Sequence, residues 1–292
     1  MEDLVTAGHE VVGVCRSGRS EAPEGARIEA ADVSDVEAAR RVAAGADVVH
    51  GCVGIPYPVW LDQWPGIVDG LLAAAEGARL VFADNLYCYG PQNEPLTEGL
   101  PLTDFGRKPA LRARMVRTML EAHQSGRVEV AMVRASDFYG PRVLNAALGE
   151  RVFANVLDGK SAQILGNGTF RHTFTFVPDF CRALRTVAEA EDDAYGQAWH
   201  VPSAPAQAPR AIIRRFSELA GVEARVQPLP RLLLMALGLF VPLMRELKEM
   251  RFQWDRSYEV VHEKFATRFR GDFTALDEGL QATLEWYRAQ QS

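Results

Sequence analysis

Three polar residues follow Ala83, at the point where the predicted strand Arg79–Ala83 ends. Asp84, Asn85 and Tyr87 bring a carboxylate, an amide and a phenol together in a short stretch. An amide can hydrogen-bond a carbonyl or a hydroxyl, and a phenol can donate a proton. Because ligands of open α/β sheets bind outside the carboxyl ends of the strands, we expect these side chains to face that crevice or its wall. Aromatic packing is the alternative role for Tyr87.

Two further pairs of residues have side chains suited to binding. Tyr57 and Trp60 follow another predicted strand and can line the substrate side of the crevice. Arg171 and His172 follow the glycine-rich turn at residues 166–168. They either bind substrate or belong to a surface loop.

Short apolar runs alternate with segments of helical periodicity. The predicted strands are Glu10–Cys15, Arg27–Ala31, Asp47–His50, Arg79–Ala83 and Val128–Arg134. The predicted helices are Val36–Ala44, Trp60–Glu76, Leu111–His123, Ala147–Asp158, Pro178–Ala190, Pro209–Ala220 and Ala275–Ala289. This order predicts βαβ units with right-handed crossovers, and therefore an α/β protein with a Rossmann-type, doubly wound parallel sheet. We expect residues 1–140 to form this core. Residues 141–292 should form a small, mainly C-terminal substrate lobe, with one or two segments returning to the core.

The beginning of the chain resembles the end of a helix. Met1–Ala7 has helical character, and Gly8 suits the position just after a helix. Glu10–Cys15 then corresponds to the second strand of a doubly wound sheet, so the first strand and the glycine-rich loop that holds a pyrophosphate are missing. Two explanations stay open. Either an upstream segment of roughly 20 residues is absent from this sequence, or the chain has lost its dinucleotide grip.

Composition and charge exclude several classes of protein. The net charge of −6 argues against a general nucleic-acid binder. Residues 1–3 are acidic, unlike a signal peptide. The longest apolar run, Leu232–Met244, contains Pro242 and is too short to span a membrane, so we expect a buried or lid helix, with an amphipathic surface as the alternative. The cysteines show no metal-ligand spacing and should be reduced thiols. We therefore expect a cytoplasmic protein that binds no metal, nucleic acid or membrane.

Seven segments, taken in order, carry a resemblance to a known family. They are AGHEVVGVCRSGR (7–19), ADVSD (31–35), DVVHGCVG (47–54), LVFADNLYCYGP (80–91), VRASDFYGPR (133–142), FTFVPDFCRAL (174–184) and DFTALDEGLQATLEWY (272–287). With them the chain resembles an atypical extended short-chain dehydrogenase/reductase, of the group that includes the NAD-dependent epimerase/dehydratase proteins. The resemblance covers nearly the whole chain.

The resemblance implies a nicotinamide cofactor at the strand ends. The positions that it assigns to cofactor binding are Arg16, Ser17, Arg19, Asp32, Val33, Val53, Gly54, Arg112, Asp137 and Phe138. At the position of Arg16 an acidic residue would bond the ribose 2′-hydroxyl of NAD, whereas a guanidinium pairs with the 2′-phosphate of NADP. We therefore favour NADP(H) over NAD(H). A solvated surface arginine is the alternative for Arg16, and a chain that binds no cofactor stays an open alternative.

The residues that perform the family's hydride chemistry are replaced in this sequence. The serine or threonine position falls on Asn85, and the Tyr-x-x-x-Lys pair falls on Lys108 and Arg112. Arg112 can hold a ribose or a phosphate, but a guanidinium does not shuttle protons. Lys108 either acts as an acid or base, if burial favours its neutral form, or is a solvated loop charge. The expected catalytic residues are Asn85, Tyr87, Lys108 and Arg112.

The expected substrate contacts are Tyr57, Trp60, Tyr87, Arg171 and His172. For Arg171 the resemblance gives the reason, since a similar arginine binds substrate phosphate in sugar-nucleotide members of the family. The leading hypothesis is an atypical NAD(P)-dependent oxidoreductase or epimerase-like enzyme that acts on a small polar or secondary-metabolite substrate.

Two other functions stay open. One is a redox-inactive binding or regulatory protein on the same scaffold. The other is a non-redox lyase or cyclase in which Lys108 and Arg112 face an anionic substrate. By analogy with the family, a homodimer would form through the helices Trp60–Glu76 and Leu111–His123.

Overall fold

The computed structural model describes residues 1–228 and 249–291, so the apolar run Leu232–Met244 lies outside the described residues. The strands are β1 (Val11–Cys15), β2 (Ala26–Ala30), β3 (Val48–Gly51), β4 (Arg79–Asn85), β5 (Glu129–Ala135), β6 (Asp137–Tyr139), β7 (Ser161–Ile164), β8 (Phe174–Phe176), β9 (Gln197–His200) and β10 (Arg225–Pro228). The helices are α1 (Glu2–Thr6), α2 (Val36–Val42), α3 (Trp60–Ala74), α4 (Lys108–Gln124), α5 (Phe153–Leu157), α6 (Val177–Ala188), α7 (Pro209–Ala220), α8 (Glu263–Phe269) and α9 (Leu276–Gln291). Short 3₁₀ turns lie at Tyr57–Val59, Tyr87–Tyr89, Asp192–Ala194 and Met250–Gln253.

A four-stranded parallel sheet in the order β3-β4-β5-β9 forms the core. The middle of each central strand is continuously apolar, at residues 80–83 and 130–133, and residues 80–82 and 130–133 are almost fully buried. Such runs are typical of parallel strands that are covered on both faces. Leu80 and Phe82 pack with helices α3 and α4, whereas Val81 packs with α6 on the opposite face. The predicted α/β class with parallel strands is therefore confirmed.

The predicted doubly wound sheet is not continuous among the described residues. β1 and β2 pair in parallel as a separate two-stranded sheet, and β1 has no ladder to β3. A doubly wound sheet would place its first strand between these two, and the described residues contain no strand there. Helix α1 packs near this place, where Asp3 accepts a 2.7 Å hydrogen bond from Arg185 of α6.

The second half of the chain forms its own core beside the sheet. β6 pairs with β8 and β7 pairs with β10, both in parallel. Helices α5, α7 and α9 bury a common aromatic and aliphatic cluster that includes Phe153, Phe216 and Leu284. β9 leaves this half and joins the edge of the four-stranded sheet beside β5.

Most predicted elements lie within one to three residues of the observed ones. The helix at Pro209–Ala220 begins and ends as predicted, with Gly221 in the left-handed conformation after it. The helix predicted at Ala147–Asp158 is wrong in extent, since only Phe153–Leu157 is helical. Gly149 lies against the backbone of Leu144 there, in a turn that replaces the first part of the predicted helix.

We expect Gly70→Ala to destabilise the protein. Gly70 lies in α3, and a Cβ atom there would stand 1.6 Å from the carbonyl oxygen of Val33. The clash with backbone outweighs the ~1 kcal/mol that alanine gains over glycine in a helix, so the net loss should be about 3 kcal/mol in the free energy of unfolding. Urea denaturation measures it. Gly99→Ala is the matched control, because nothing lies within 4 Å of its Cβ position. Equal stability of the two variants would contradict this close approach.

Candidate functional site

A buried carboxylate, Asp84, joins three elements at the end of β4. Its side chain is fully buried and accepts from Arg112 of α4 and, at 2.8 Å, from Nε of Arg134 of β5. Burial alone would raise the pKa of Asp84, but the two guanidiniums outweigh it and hold that pKa below its ordinary value. Of the two expected orientations, the buried side chain of Asp84 agrees with a place in the wall, because it pairs two buried cations.

Arg112 is committed to the protein interior. Its guanidinium carbon lies 4.8 Å from the ring centroid of Trp64, 5.2 Å from Phe82 and 5.7 Å from Trp60. Its side chain is 3% exposed. Aromatic faces stabilise a desolvated guanidinium. The structure therefore gives Arg112 a partner in Asp84 and a set of rings, in place of the predicted ribose or phosphate.

A hydrogen-bonded chain leads from Arg134 to a neutral histidine. Arg134 donates to the hydroxyl of Tyr89 at 2.5 Å. His200 donates from Nδ1 to the carbonyl of Val261 at 2.9 Å, so its Nε2 is the acceptor of the 2.8 Å bond from Tyr89. Burial first, and then the charge of Arg134, lower the pKa of His200 to about 3.

Asn85 is the last residue of β4 and follows Asp84 directly. Its side-chain oxygen accepts from the backbone N–H of Tyr87 at 3.0 Å, and its own backbone N–H donates to Asp84 at 2.8 Å. These two bonds fix the orientation of the amide. No described residue bonds the amide nitrogen, so that end of Asn85 is available to a ligand oxygen.

Tyr57 and Tyr87 form a pair of phenols beside Asn85. Their hydroxyl oxygens are 3.0 Å apart. Trp60 stacks on Tyr87 with ring centroids 6.1 Å apart, and its indole N–H donates to the carbonyl of Ile55. Burial raises the pKa of Tyr57 to about 12, and burial together with Tyr57 and Asp137 raises that of Tyr87 well above its ordinary value. Both phenols therefore keep their protons at neutral pH.

Lys108 is the first residue of α4 and lies beside this pair. Its side chain is 3% exposed, and its Nζ is 3.0 Å from Oε2 of Glu249 and 5.8 Å from the ring centroid of Tyr57. The alternative of a solvated loop charge is therefore wrong. The charge of Lys108 is balanced by Glu249, which also accepts from the backbone N–H of Lys108 at 3.1 Å.

Asp137 and His172 meet on the side of the crevice formed by the second half of the chain. Oδ2 of Asp137 is 2.9 Å from Nε2 of His172. Phe138 packs against Phe180 of α6, with centroids 5.0 Å apart. Arg171 points away from this pair, since it is exposed and forms a 3.1 Å ion pair with Glu259. Arg171 and His172 therefore do not converge on one phosphate position, as the sequence predicted, but bind Glu259 and Asp137 separately.

The residues predicted to hold the adenosine end of a dinucleotide lie at the ends of β1, β2 and β3. Arg16, Ser17, Arg19, Asp32 and Gly54 are exposed, and Val33 and Val53 are half-buried behind them. The side chain of Asp32 accepts from the backbone N–H of Ser34 at 3.0 Å and from its hydroxyl at 2.7 Å. These bonds first, and then the charge of Arg16, lower the pKa of Asp32. Nothing lies within 4 Å of a Cβ placed on Gly54, so a ligand can approach the backbone there.

Sequence reasoning missed several residues that shape the site. Arg134 was visible as a charge ending an apolar strand, a pattern that indicates a buried partner. His200, Glu249 and Tyr258 left no local signal, since each reaches the crevice from a distant part of the chain. Within residues 1–228 and 249–291, no group of His, Cys, Asp or Glu side chains is arranged to hold a metal ion. No helix in the same ranges is long and apolar enough to cross a membrane.

Comparison with known proteins identifies the class of this fold and site. The model of the NAD dependent epimerase/dehydratase family matches residues 1–201. The chain therefore belongs to that family, and the resemblance read from the seven segments is confirmed.

The individual relatives share only a small fraction of identical residues with this chain. A dTDP-glucose 4,6-dehydratase of Actinoplanes sp. is 28% identical over 200 residues, which cover 67% of this chain and 55% of the relative, so the chain spans about half the length of that protein. The structure of dTDP-glucose 4,6-dehydratase from Bacillus anthracis with NAD superposes with a TM-score of 0.80 at 16% identity, covering 99% of this chain and 92% of the other. UDP-glucuronic acid 4-epimerase from Bacillus cereus, with UDP-glucuronic acid and NAD, gives a TM-score of 0.80 at 16% identity, covering 99% and 94%. These structures show a shared fold.

We expect His200 to make the protein sensitive to acid. Since its pKa is about 3 in the folded chain and 6.5 ordinarily, the unfolded chain binds a proton that the folded chain does not. Above pH 6.5 this histidine does not reduce the free energy of unfolding. As the pH falls from 6.5 towards 3, the free energy of unfolding decreases by up to about 1.4 kcal/mol per pH unit. Urea unfolding between pH 7 and about 4.5 should show a flatter pH dependence for His200→Gln. The exposed His9, changed to Gln, serves as the control and should leave the slope in place. An unchanged slope in His200→Gln would contradict the neutral ring.

Proposed function

We propose that this chain is an atypical NAD(P)-dependent oxidoreductase or epimerase-like enzyme that acts on a small polar or secondary-metabolite substrate. The observation that carries the proposal is the pair of protonated phenols, Tyr57 and Tyr87, next to the oriented amide of Asn85 at the end of β4. Membership of the family supports nicotinamide-dependent chemistry. The relatives are described as dehydratases and epimerases of nucleotide sugars, and two solved ones contain NAD.

The charges around the phenols favour proton donation over proton abstraction. In the family, a lysine lowers the pKa of the catalytic tyrosine. Here the lysine position holds Arg112, which is paired with Asp84, and Lys108 is paired with Glu249. Burial first, and then the neighbouring Tyr57 and the charge of Asp137, raise the pKa of Tyr87, so this phenol holds its proton at neutral pH and acts as an acid. We therefore propose reduction of a carbonyl as the favoured direction.

The roles of the residues follow from this geometry. Asn85 hydrogen-bonds the substrate oxygen through its amide nitrogen. Tyr87 donates a proton to that oxygen as it gains negative charge, and Tyr57 returns a proton to Tyr87 across their 3.0 Å contact. Solvent then replaces the proton of Tyr57, which is partly exposed. A bound nicotinamide nucleotide would supply the hydride. Arg112, predicted as a ribose ligand, is left out of this proposal because Asp84 already occupies it.

The exposed residues at the ends of β1 and β3 suit the adenosine half of a dinucleotide. Arg16 and the open backbone at Gly54 would hold it, with Asp32 and Val33 at the adenine side. The preference for NADP rests on Arg16 alone, since the solved relatives named above contain NAD.

A second candidate function is a redox-inactive binding protein. Two ion pairs favour it, because Lys108 stands at the family's tyrosine position and is paired with Glu249, and Arg112 stands at its lysine position and is paired with Asp84. Such a protein would keep the crevice and bind its ligand without turnover.

We expect Tyr87→Phe and Asn85→Ala each to lower kcat by about 10²- to 10⁴-fold, because the first removes the acid and the second removes the group that holds the oxygen. Steady-state rates of cofactor oxidation measure the effect. Tyr287→Phe is the control, since its hydroxyl bonds the carbonyl of Val143 within the second half of the chain. The wild-type rate should stay level from pH 6 to 9, because the pKa of Tyr57 is about 12 and that of Tyr87 is also raised. Full activity of both site variants would overturn the proposal.

We expect the chain to bind NADPH, with an affinity that falls about tenfold in Arg16→Glu, because a carboxylate repels the 2′-phosphate and suits a 2′-hydroxyl. Titration followed by nicotinamide fluorescence measures both nucleotides. The control is Arg225→Glu, an equal change of charge at an exposed residue of β10. Stronger binding of NADH by the wild type would contradict the NADP preference, and no response to either nucleotide would favour the binding protein.

A further inference from the structure

Both ring nitrogens of His172 face hydrogen-bond acceptors. Nδ1 lies 3.2 Å from the backbone carbonyl oxygen of Gln253, and Nε2 lies 2.9 Å from Oδ2 of Asp137. A neutral imidazole has one N–H and can donate to only one of them, whereas an imidazolium donates to both. Since His172 is 2% exposed, water does not compensate a lost bond. The geometry therefore suits a doubly protonated ring.

Three aromatic side chains surround the same ring. Trp254 stacks on His172 with centroids 4.3 Å apart and an interplanar angle of 4°, and Tyr258 stacks at 5.1 Å and 26°. Phe174 lies 4.6 Å away at a tilt. The faces of aromatic rings attract a cation, and most strongly where water is excluded. The cage thus stabilises the charged form and prevents the ring from turning.

The pair leaves polar atoms without partners at the crevice. Asp137 uses Oδ2 for His172 and is 20% exposed, so Oδ1 can accept from a ligand. The hydroxyl of Tyr258 is buried and has no hydrogen-bond partner among the described residues. The charge of Asp137 contributes to the raised pKa values of Tyr57, Tyr87 and Tyr258, which places the carboxylate near all three phenols.

We propose that Asp137 is a substrate-recognition residue, that the caged imidazolium of His172 positions it, and that the pair selects substrates presenting a hydroxyl or ammonium donor beside the reacting carbon. This inference rests on the proposed function, because it describes the substrate side of the same crevice. Either group can donate to Oδ1 of Asp137, and a hydroxyl can at the same time accept from Tyr258.

A phosphate does not suit this position. The Asp137 carboxylate repels it, and the nearby cations are already paired: Lys108 with Glu249, and Arg171 with Glu259. His172, which was expected to bind substrate, forms an ion pair with Asp137 instead. The pair therefore suits a part of the substrate that carries a hydroxyl or an ammonium group, and not its phosphate.

The protonation state of His172 tests the pair without any cofactor or turnover. In the full chain labelled with ¹⁵N-histidine, NMR at pH 8 should show one histidine with both ring nitrogens protonated. That signal should disappear in His172→Gln and remain in His9→Gln, which changes an exposed histidine. In Asp137→Asn, a shape-conserving change, His172 should lose one proton. A neutral His172 in the wild type at pH 8 would overturn the proposal.

Thermal shift with uridine diphosphate tests the exclusion of phosphate. We expect no stabilisation of the wild type through this site. Stabilisation that His172→Gln abolishes would mean that His172 grips the phosphate and would overturn the proposal. Stabilisation that the variant leaves unchanged comes from binding elsewhere and agrees with it.

Two small ketones test the substrate class. Hydroxyacetone carries a hydroxyl beside its carbonyl, and pyruvate carries a carboxylate at the same place. With NADPH we expect kcat/KM to be at least about tenfold higher for hydroxyacetone, and the ratio to fall in Asp137→Asn. A preference of the wild type for pyruvate would overturn the assignment of Asp137. If neither ketone oxidises the cofactor, the proposed function fails, while the NMR and uridine diphosphate results still decide the inference.

Discussion

The buried charge of Asp84 is the constraint on which the rest of the site depends. One carboxylate forms ion pairs with two guanidiniums that have almost no access to water, and it joins β4, α4 and β5 in doing so. Removing one partner of such a buried pair leaves an uncompensated charge at a cost of about 3–5 kcal/mol. The backbone of Asn85 also donates to this carboxylate, so the same interaction orients the amide that faces the ligand.

That constraint determines the chemistry left to the crevice. Arg112 stands at the family's lysine position and its charge favours the ionised form of Tyr57, but burial outweighs it and raises the pKa of that phenol to about 12. The charge of Lys108 is balanced by Glu249. The groups that remain are acids and neutral donors: the phenols of Tyr57 and Tyr87 and the amide of Asn85. A site of this composition donates protons at neutral pH and does not remove them.

The crevice has a second wall with a different kind of charge pair. On the β4 side the carboxylate is buried and the cations surround it, whereas on the β6 side the cation, His172, is buried and the carboxylate of Asp137 reaches the surface. Burying the cation among aromatic rings leaves a negative, acceptor-rich group for the ligand. The two walls together combine a proton-donating side with a recognition side that favours hydrogen-bond donors.

The sequence by itself determined the element order of the first half of the chain, the α/β class and the family. These follow from local causes: apolar periodicity, caps such as Asp35 and Gly221, and seven motifs in register. It also placed Asn85 and Tyr87 at a strand end, because a strand's termination is a local event. Only the tertiary structure decided which charged side chains are paired with an opposite charge. Glu249 pairs with a lysine 141 residues away, and His200 meets Tyr89 across 111 residues. No pattern of spacing reports such contacts, because they depend on which strands and helices become neighbours when the sheet assembles. The neighbours of Arg112 and Lys108 in the folded chain show that both cations are paired with a carboxylate and are not available to a ligand.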